Sequence, residues 1–386
     1  MTVETITLGC RLNFAESATI ARSAPPQEDW IVINSCAVTN EAVRQTRQAI
    51  RRAHRQRPDA QILVTGCAAE LQPEIFTTMA GVSRVVGNAS KLNALAANDV
   101  MTPAGLLANV KSFVAVQTGC DHRCTFCSIW QARGPSISLP FEAIRDAVAR
   151  ELDRGAKEIV LTGVDITDYA DGLGNLCQLL LAAEPRLKRL RLSSLDSIEI
   201  DDALFELIAG ETRLMPHFHL SLQAGDDMIL KRMKRRHSRE QAVRTVERIK
   251  AVRPDATIGA DLIAGFPTET EEMALNSLEL LDDCDIVAAH VFPFSPRPDT
   301  PAARMPQLAP ELVKARAARL REAAAHRREH WLESLVGSVQ PILVEGPGKG
   351  HTDNFAPVAI ADAQRGESGQ ARITGFDGTR LTAVWA

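Results

Sequence analysis

Over the first ninety residues, short apolar runs alternate with stretches whose apolar positions recur every three or four residues. Residues 4–8, 30–33 and 61–65 read as strands, because aliphatic and β-branched residues crowd into lengths too short for a helix. Each run is followed within a few residues by a cysteine: Cys10, Cys36 and Cys67. In an open α/β sheet the loops at the carboxyl ends of parallel strands converge on one rim. The repeated placement therefore predicts that these three thiols meet in space despite their separation in sequence.

Residues 88–110 turn rich in Ala, Asn and Leu around Pro103 and Gly105, which suits a connector. A second α/β series follows, with strand-like runs at 112–116, 158–162, 189–193, 217–222, 257–263 and 285–292 separated by helical patterns. Six such units predict a parallel sheet curled into a partial or complete barrel, with chemistry at the carboxyl ends of the strands. A long charged helix over 311–335 closes the series. Beyond it, short β runs at 340–344, 355–360, 370–373 and 380–384, set among Gly and Pro, predict a small β-barrel. The expected fold is α/β: an N-terminal open α/β domain (1–100), a central partial (β/α)6 barrel (106–336) and a small C-terminal β-barrel (337–386).

Composition narrows the function. With 45% apolar and 24% charged residues the chain reads as a soluble globular protein; it has no apolar run of membrane-spanning length and no signal-like N-terminus. The expected location is the cytoplasm, with no membrane partner. Net charge is −4, so RNA contact would depend on local basic patches. Eight cysteines in a reducing compartment point to metal or redox chemistry rather than disulfides.

The most selective pattern is Cys120-Asp-His-Arg-Cys124-Thr-Phe-Cys127. Three thiolates in one compact loop can hold three irons of a four-iron cluster and leave the fourth open to another ligand. A structural zinc site would use paired two-residue spacings and a fourth ligand, and His122 lies awkwardly inside the loop for that part. The loop resembles the radical S-adenosylmethionine superfamily, whose motif has this spacing with an aromatic before the third cysteine, here Phe126.

The resemblance extends along nearly the whole chain and narrows to the methylthiotransferases. The segments containing Gly9-Cys10-Arg11-Leu12-Asn13, Asn34-Ser35-Cys36-Ala37 and Gly66-Cys67-Ala68 are similar to the family's three N-terminal cysteine motifs. The resemblance implies that Cys10, Cys36 and Cys67 hold an auxiliary [4Fe-4S] cluster, that Cys120, Cys124 and Cys127 hold a second, and that the C-terminal β-barrel is a shortened RNA-binding TRAM domain. It implies S-adenosylmethionine as cofactor, once as methyl donor to sulfur and once as source of a 5′-deoxyadenosyl radical that activates a substrate C–H bond. An electron donor such as flavodoxin or ferredoxin and a sulfur donor are then required partners. Gly163, Ser194, Gln223 and Phe126 are the expected cofactor contacts. Thr268 and Asp299 stand where the family usually has glycine, and Trp130 where it has proline.

Within the family, Thr162-Gly-Val-Asp-Ile-Thr167, the His-Leu-Ser-Leu-Gln segment and Phe-Ser-Pro-Arg-Pro most resemble the branch acting on N6-threonylcarbamoyladenosine in tRNA. Isopentenyladenosine tRNA, a ribosomal-protein aspartate, or a non-catalytic iron–sulfur RNA-binding role are the alternatives. His217, His219, Ser221 and Gln223 share one face of a strand, and a polar barrel interior there suits the polar substituent, with Arg133 and Arg297 as partners for its carboxylate. Arg44, Arg47, Arg51 and Arg55 form one helical stripe, the expected tRNA contact. Lys231 to Arg236, and Arg316, Arg319, Arg327 and Arg328, are further basic stretches. Cys177 and Cys284, outside both triads, are expected to be packing residues.

Overall fold

The structure is a computed structural model that describes residues 3–23, 29–93 and 110–386. The N-terminal part runs β1 (Glu4–Thr7), α1 (Arg11–Ser23), β2 (Trp30–Ser35), α2 (Asn40–Gln56), β3 (Gln61–Gly66), α3 (Cys67–Leu71), α4 (Pro73–Thr77) and β4 (Val82–Val85). The strands form a parallel sheet in the order β1-β2-β3-β4. Both faces of β2 are buried, with Ile31 and Ile33 packed against Ile50 of α2 and Val32 against Ile20 of α1. The continuous apolar runs follow from that two-sided burial.

The central part contains β5 (Lys111–Ala115), β6 (Gln117–Thr118), α5 (Ile129–Arg133), β7 (Ile137–Ser138), α6 (Phe141–Asp153), β8 (Glu158–Thr162), α7 (Leu173–Ala183), β9 (Leu190–Leu192), β10 (Ser194–Leu195), α8 (Asp202–Gly210), β11 (His217–Gln223), α9 (Asp227–Met233), α10 (Arg239–Val252), β12 (Thr257–Ala264), α11 (Glu271–Asp283), β13 (Ile286–Pro293) and α12 (Pro310–Ser334). Five of the six expected strands are continuous. The third is split at Ser193: β9 pairs with β8, and β10 pairs with β11. The resulting parallel series, β5-β8-β9 and β10-β11-β12-β13, leaves β5 and β13 as unpaired edges among the described residues. It is thus a partial barrel. Residues such as Val114, Leu161, Leu192, Leu220, Ile258 and Ile286 point outward into one core shared with the surrounding helices, so the intervening positions line an inner lumen.

The N-terminal part bridges the open side. Helix α1 packs along β5, where the rings of Phe14 and Phe113 lie 6.2 Å apart. At the other edge, the backbone N–H of Asn40 donates to Ser295 Oγ (3.2 Å) and Arg297 donates to Asn40 Oδ1 (2.6 Å). The expected connector begins as packed structure, since Asn88 donates to the carbonyl of Ala132 (2.7 Å) and Lys91 is buried in an ion pair with Glu16. Its remainder, 94–109, including the expected boundaries at 100 and 106, lies outside the described residues.

The C-terminal part is a closed barrel of five strands: β14 (Val339–Gly346), β15 (Lys349–Thr352), β16 (Pro357–Ile360), β17 (Ser368–Phe376) and β18 (Leu381–Trp385), in the order β14-β15-β16-β18-β17. The sequence pattern predicts four β runs here; the fifth strand, β15, contains Gly350, which weakens any strand pattern but is required, because a Cβ there would lie 2.2 Å from the carbonyl oxygen of Leu343. The turn at 352–355 plugs the amino-terminal end of the central strands. Phe355 stacks between His217 and His351, with ring centroids 5.0 and 4.7 Å away, and the cations of Lys111 and Arg191 lie 4.9 and 4.8 Å from its ring.

Candidate active site

The loop after β6 carries Cys120, Cys124 and Cys127 at the carboxyl end of the central strands. Its entry is forced by Gly119 at φ +78°, where a Cβ would lie 1.7 Å from the Pro135 carbonyl oxygen. The loop is then fixed by backbone bonds from Cys120 to Gly134 (3.1 Å), from Thr125 to Met233 (3.0 Å) and from Ala302 to Thr125 (3.0 Å). Donors already address the sulfurs: the N–H of Ile129 reaches Cys127 Sγ (3.3 Å), and Arg235 reaches Cys124 Sγ (3.8 Å) while held by Asp196 and the Ser221 carbonyl. Burial pushes the Cys120 thiol up to about 12 and the Cys127 thiol up to about 11. A cation replacing those protons would be needed to make thiolates of them at neutral pH.

Cys10 and Cys36 sit in the loops after β1 and β2, and Cys67 opens α3 directly after β3, on one rim as their repetition predicted. Polar side chains stitch the three loops together. Asn13 donates to the carbonyls of Leu8 (2.8 Å) and Ser35 (3.0 Å), Asn34 donates to the Asn13 carbonyl (3.0 Å), and Ser35 Oγ accepts from the N–H of Ala69 (3.1 Å). Gly9 is pressed so closely to Cys36 that a Cβ would lie 2.7 Å from its sulfur. Burial pushes Cys36 up to about 11, and the charges of Cys67 and Cys10 add to the rise. Arg133, on α5 just after the first loop, donates to Cys67 Sγ (3.3 Å) and pairs with Glu16 (2.5 Å) and Asn13 (2.6 Å). Arg133 follows Cys127 by six residues and bonds Cys67, so the two triads are neighbours.

Below the triads, the strand ends carry an acidic group. His122 Nε2 lies 3.1 Å from Asp165 and 3.4 Å from Glu199, and its Nδ1 lies 3.7 Å from Asp196. Burial and the Glu199 charge push Asp165 up to about 6. For Glu199, burial acts upward but is outweighed by hydrogen bonds from His122 and Arg236, which bring it down to about 2. Deeper in the lumen, Asp261 Oδ1 is shared by His219 Nε2 (3.0 Å) and His290 Nδ1 (3.2 Å). Gly259 makes room for these rings, since a Cβ there would lie 2.6 Å from His219 Nδ1.

A family model described as the radical SAM superfamily matches residues 114–281. A second, described as the uncharacterized protein family UPF0004, matches residues 2–87. The threonylcarbamoyladenosine tRNA methylthiotransferase MtaB of Rickettsia prowazekii is 42% identical over 382 residues, covering 92% of this chain and 91% of the relative. The tRNA-2-methylthio-N(6)-dimethylallyladenosine synthase of Erythrobacter litoralis is 33% identical, covering 88% and 86%. The chain belongs to the radical S-adenosylmethionine methylthiotransferase family. Among solved structures, the radical S-adenosylmethionine methyltransferase TsrM of Kitasatospora setae shares the fold at a TM-score of 0.55 and 13% identity, covering 75% of this chain and 66% of that one.

In this methylthiotransferase the other expected contacts lie near the first loop but in altered settings. Gly163 is tightly approached by Gln117, whose Oε1 accepts from the N–H groups of Val164 (3.0 Å) and Asp165 (2.9 Å). Its missing Cβ therefore admits Gln117. Ser194 begins β10 opposite His219. Gln223 ends β11 at φ +69° beside a register shift. Phe126 packs against the apolar cluster of Met233, Phe266 and Ala302. The proposed polar face is divided: His217 bonds Thr257 (2.8 Å) and stacks on the plug, so it serves the barrel base. Arg133 is paired with Glu16, whereas Arg297 donates to Asn40 Oδ1 and keeps a buried Nε without a partner among the described residues.

All four arginines of the α2 stripe, Arg44, Arg47, Arg51 and Arg55, are exposed. Arg44 pairs with Glu41 at 2.5 Å. Within Lys231 to Arg236, Arg232 bonds the Thr268 carbonyl, Arg235 is buried on Asp196 and Arg236 pairs with Glu199, while Lys231 and Lys234 are exposed. Arg316 is likewise buried on Glu269, and Arg319 and Arg327 are paired. Cys177 and Cys284 are buried away from both triads. Neither the acidic group around His122 nor His290 is among the residues that the sequence pattern singles out. The alternation of Ala288, His290 and Phe292 along β13 was the available signal for the latter.

Proposed function

We propose that this methylthiotransferase acts on tRNA carrying N6-threonylcarbamoyladenosine next to the anticodon and places a methylthio group on C2 of the base. The observation that carries this reading is the meeting of two cysteine triads at the mouth of a polar lumen. It occurs in a chain that resembles a threonylcarbamoyladenosine tRNA methylthiotransferase over nine-tenths of its length. Cys10, Cys36 and Cys67 hold one [4Fe-4S] cluster, and Cys120, Cys124 and Cys127 the other. When bound, the clusters supply the electron that cleaves S-adenosylmethionine and the iron site that carries the sulfur to be transferred.

The chain's own residues support this assignment. Each triad offers three sulfurs on fixed loops, and arginines stand by to offset the negative charge of thiolate-bound clusters: Arg133 at Cys67, Arg235 at Cys124, and the buried Arg297 within electrostatic reach of Cys36. The carboxylates of Asp165, Asp196 and Glu199 suit the ammonium and sulfonium charges of S-adenosylmethionine. Gly163, Ser194, Gln223 and Phe126 frame the same strand ends. The shielded lumen excludes water from a reactive carbon. Residues 1–100, 106–336 and 337–386 act as the auxiliary-cluster, radical and TRAM-like units, with Arg44, Arg47, Arg51 and Arg55 on tRNA phosphates. An electron donor of flavodoxin or ferredoxin type and a separate sulfur donor serve the enzyme in the cytoplasm. No helix among the described residues is long and apolar enough to cross a membrane.

The test is mass spectrometry of nucleosides from tRNA of strains with and without the gene, joined to turnover by the purified enzyme. The 2-methylthio-threonylcarbamoyl nucleoside should vanish with the gene, and threonylcarbamoyl tRNA should be the preferred substrate. Preference for isopentenyladenosine tRNA or for a ribosomal protein would overturn the substrate assignment.

A further inference from the structure

On the reading that the substrate carries a threonylcarbamoyl group, we infer that Arg11 and Asp261 form the subsite that recognises it. The Arg11 guanidinium takes the carboxylate, and the free oxygen of Asp261 accepts from the threonyl hydroxyl.

Arg11 opens helix α1, one residue after Cys10, and lies on the same helix face as Phe14, three residues on. Phe14 packs against Phe113 of β5, whose neighbour Val114 belongs to the outer core, so this helix face borders the lumen. The charges of Arg191, Glu158 and Asp261 all act on Arg11. Three other cations around the lumen already have carboxylates: Arg191 has Glu158 (2.9 Å), Lys111 has Glu345 (2.6 Å) and Arg189 has Glu158 and Asp353. Arg11 has neither hydrogen bond nor ion pair among the described residues. A half-buried guanidinium without an anion is costly. Its position adds to the conflict, because a cation in a first turn that has no acidic residue opposes the helix dipole. An anionic ligand would answer both, and local rules tend to be broken where function requires it.

Asp261 supplies the second half. Its Oδ1 is used by His219 and His290, and its Oδ2 has no partner among the described residues. The target chemistry makes the location sensible. C2 and the N6 substituent flank N1 on one edge of the adenine, so a base whose C2 faces the Cys10 triad places its substituent within a side chain's length of that triad. An isopentenyl group would leave both polar partners unpaired, which rejects it more strongly than a missing methylene would.

The test measures binding and turnover of three anticodon stem-loops by the holoenzyme. One carries the threonylcarbamoyl group, a second carries its threoninol counterpart with the carboxylate reduced to an alcohol, and a third carries the isopentenyl group. Wild type should lose about 10- to 100-fold in affinity from the first to the second, the worth of a charged hydrogen-bonded pair. Arg11→Gln should bind the two equally, Arg11→Lys should recover part of the difference, and Asp261→Asn should weaken the first while retaining the carboxylate preference. Equal binding of the first two RNAs by wild type overturns the inference whatever the variants do, as does undiminished discrimination in Arg11→Gln. Wild-type preference for the isopentenyl stem-loop instead overturns the substrate reading itself.

Discussion

Thr268 and Asp299, where the family resemblance leads one to expect glycine, sit at φ +66° and +64°. A left-handed conformation costs an L-residue about 1–2 kcal/mol, and a β-branched side chain tolerates it worst, whereas Asp can offset part through local hydrogen bonds. Thr268→Gly should therefore stabilise the fold by about 1 kcal/mol and Asp299→Gly by less, after the larger chain entropy of glycine is subtracted. Denaturant midpoints of the two variants test the order. Gly119 is the opposite case. Its added Cβ would meet the Pro135 and Gly134 carbonyls, fixed backbone at the entry to the cysteine loop. Gly119→Ala should lower reconstituted iron from about eight to about four per chain. Iron analysis with and without Cys120, Cys124 and Cys127 identifies which cluster is lost.

Helix α2 shows what an element reveals and what it conceals. Thr39 caps it by accepting from the N–H of Ala42 (3.1 Å), and its inward face carries Val43, Thr46, Ile50 and Ala53, which leaves the arginine stripe outward. Arg47, Arg51 and Arg55 have no ion pair among the described residues, while Arg44 is held by Glu41. Changing Arg47, Arg51 and Arg55 to glutamine should flatten the salt dependence of tRNA binding by about 2 in log–log slope, at 0.7–0.9 per phosphate contact. Adding Arg44→Gln should change it less. Fluorescence titrations across a salt series give the slopes. That stripe was legible because its period is local. Strands β2, β3, β8 and β12 were legible for the same reason, as were the three cysteines at strand ends. Arg235 and Arg316 read as surface charge because their partners, Asp196 and Glu269, are distant in sequence. The split of the third strand at Ser193 leaves no mark in hydropathy.

At the scale of the molecule, the C-terminal barrel and the central barrel are joined by charge as well as by the Phe355 plug. Glu158 opens β8, is 1% exposed, and receives Arg191 Nε (2.9 Å), Arg189 Nε (3.1 Å) and Lys111 Nζ (3.5 Å). Arg189 and Lys111 continue to Asp353 and Glu345 of the C-terminal barrel. Burial alone would raise the Glu158 carboxyl, but the charges of Arg191 and Lys111 outweigh it and bring it down to about 2. Glu345 is likewise held at about 2, where burial is outweighed by the His351 hydrogen bond and the Lys111 charge. A carboxyl depressed in the folded state contributes stability above its unfolded value, about 4.3, and loses it as pH falls toward the folded value. For Glu158 that contribution is about 3 kcal/mol at neutral pH. Glu158→Gln should therefore loosen β8, β9 and the docked barrel strongly at pH 7, because Arg191 loses its anion while Arg189 and Lys111 each lose one of two. The difference from wild type should shrink steadily between about pH 4 and pH 2, as the wild-type carboxyl itself takes up a proton. Hydrogen exchange of the β8, β9 and β15 amides, compared between the two proteins at each pH, reads this directly. A difference that stays constant down to pH 2 would mean that Glu158 acts through shape and not through charge.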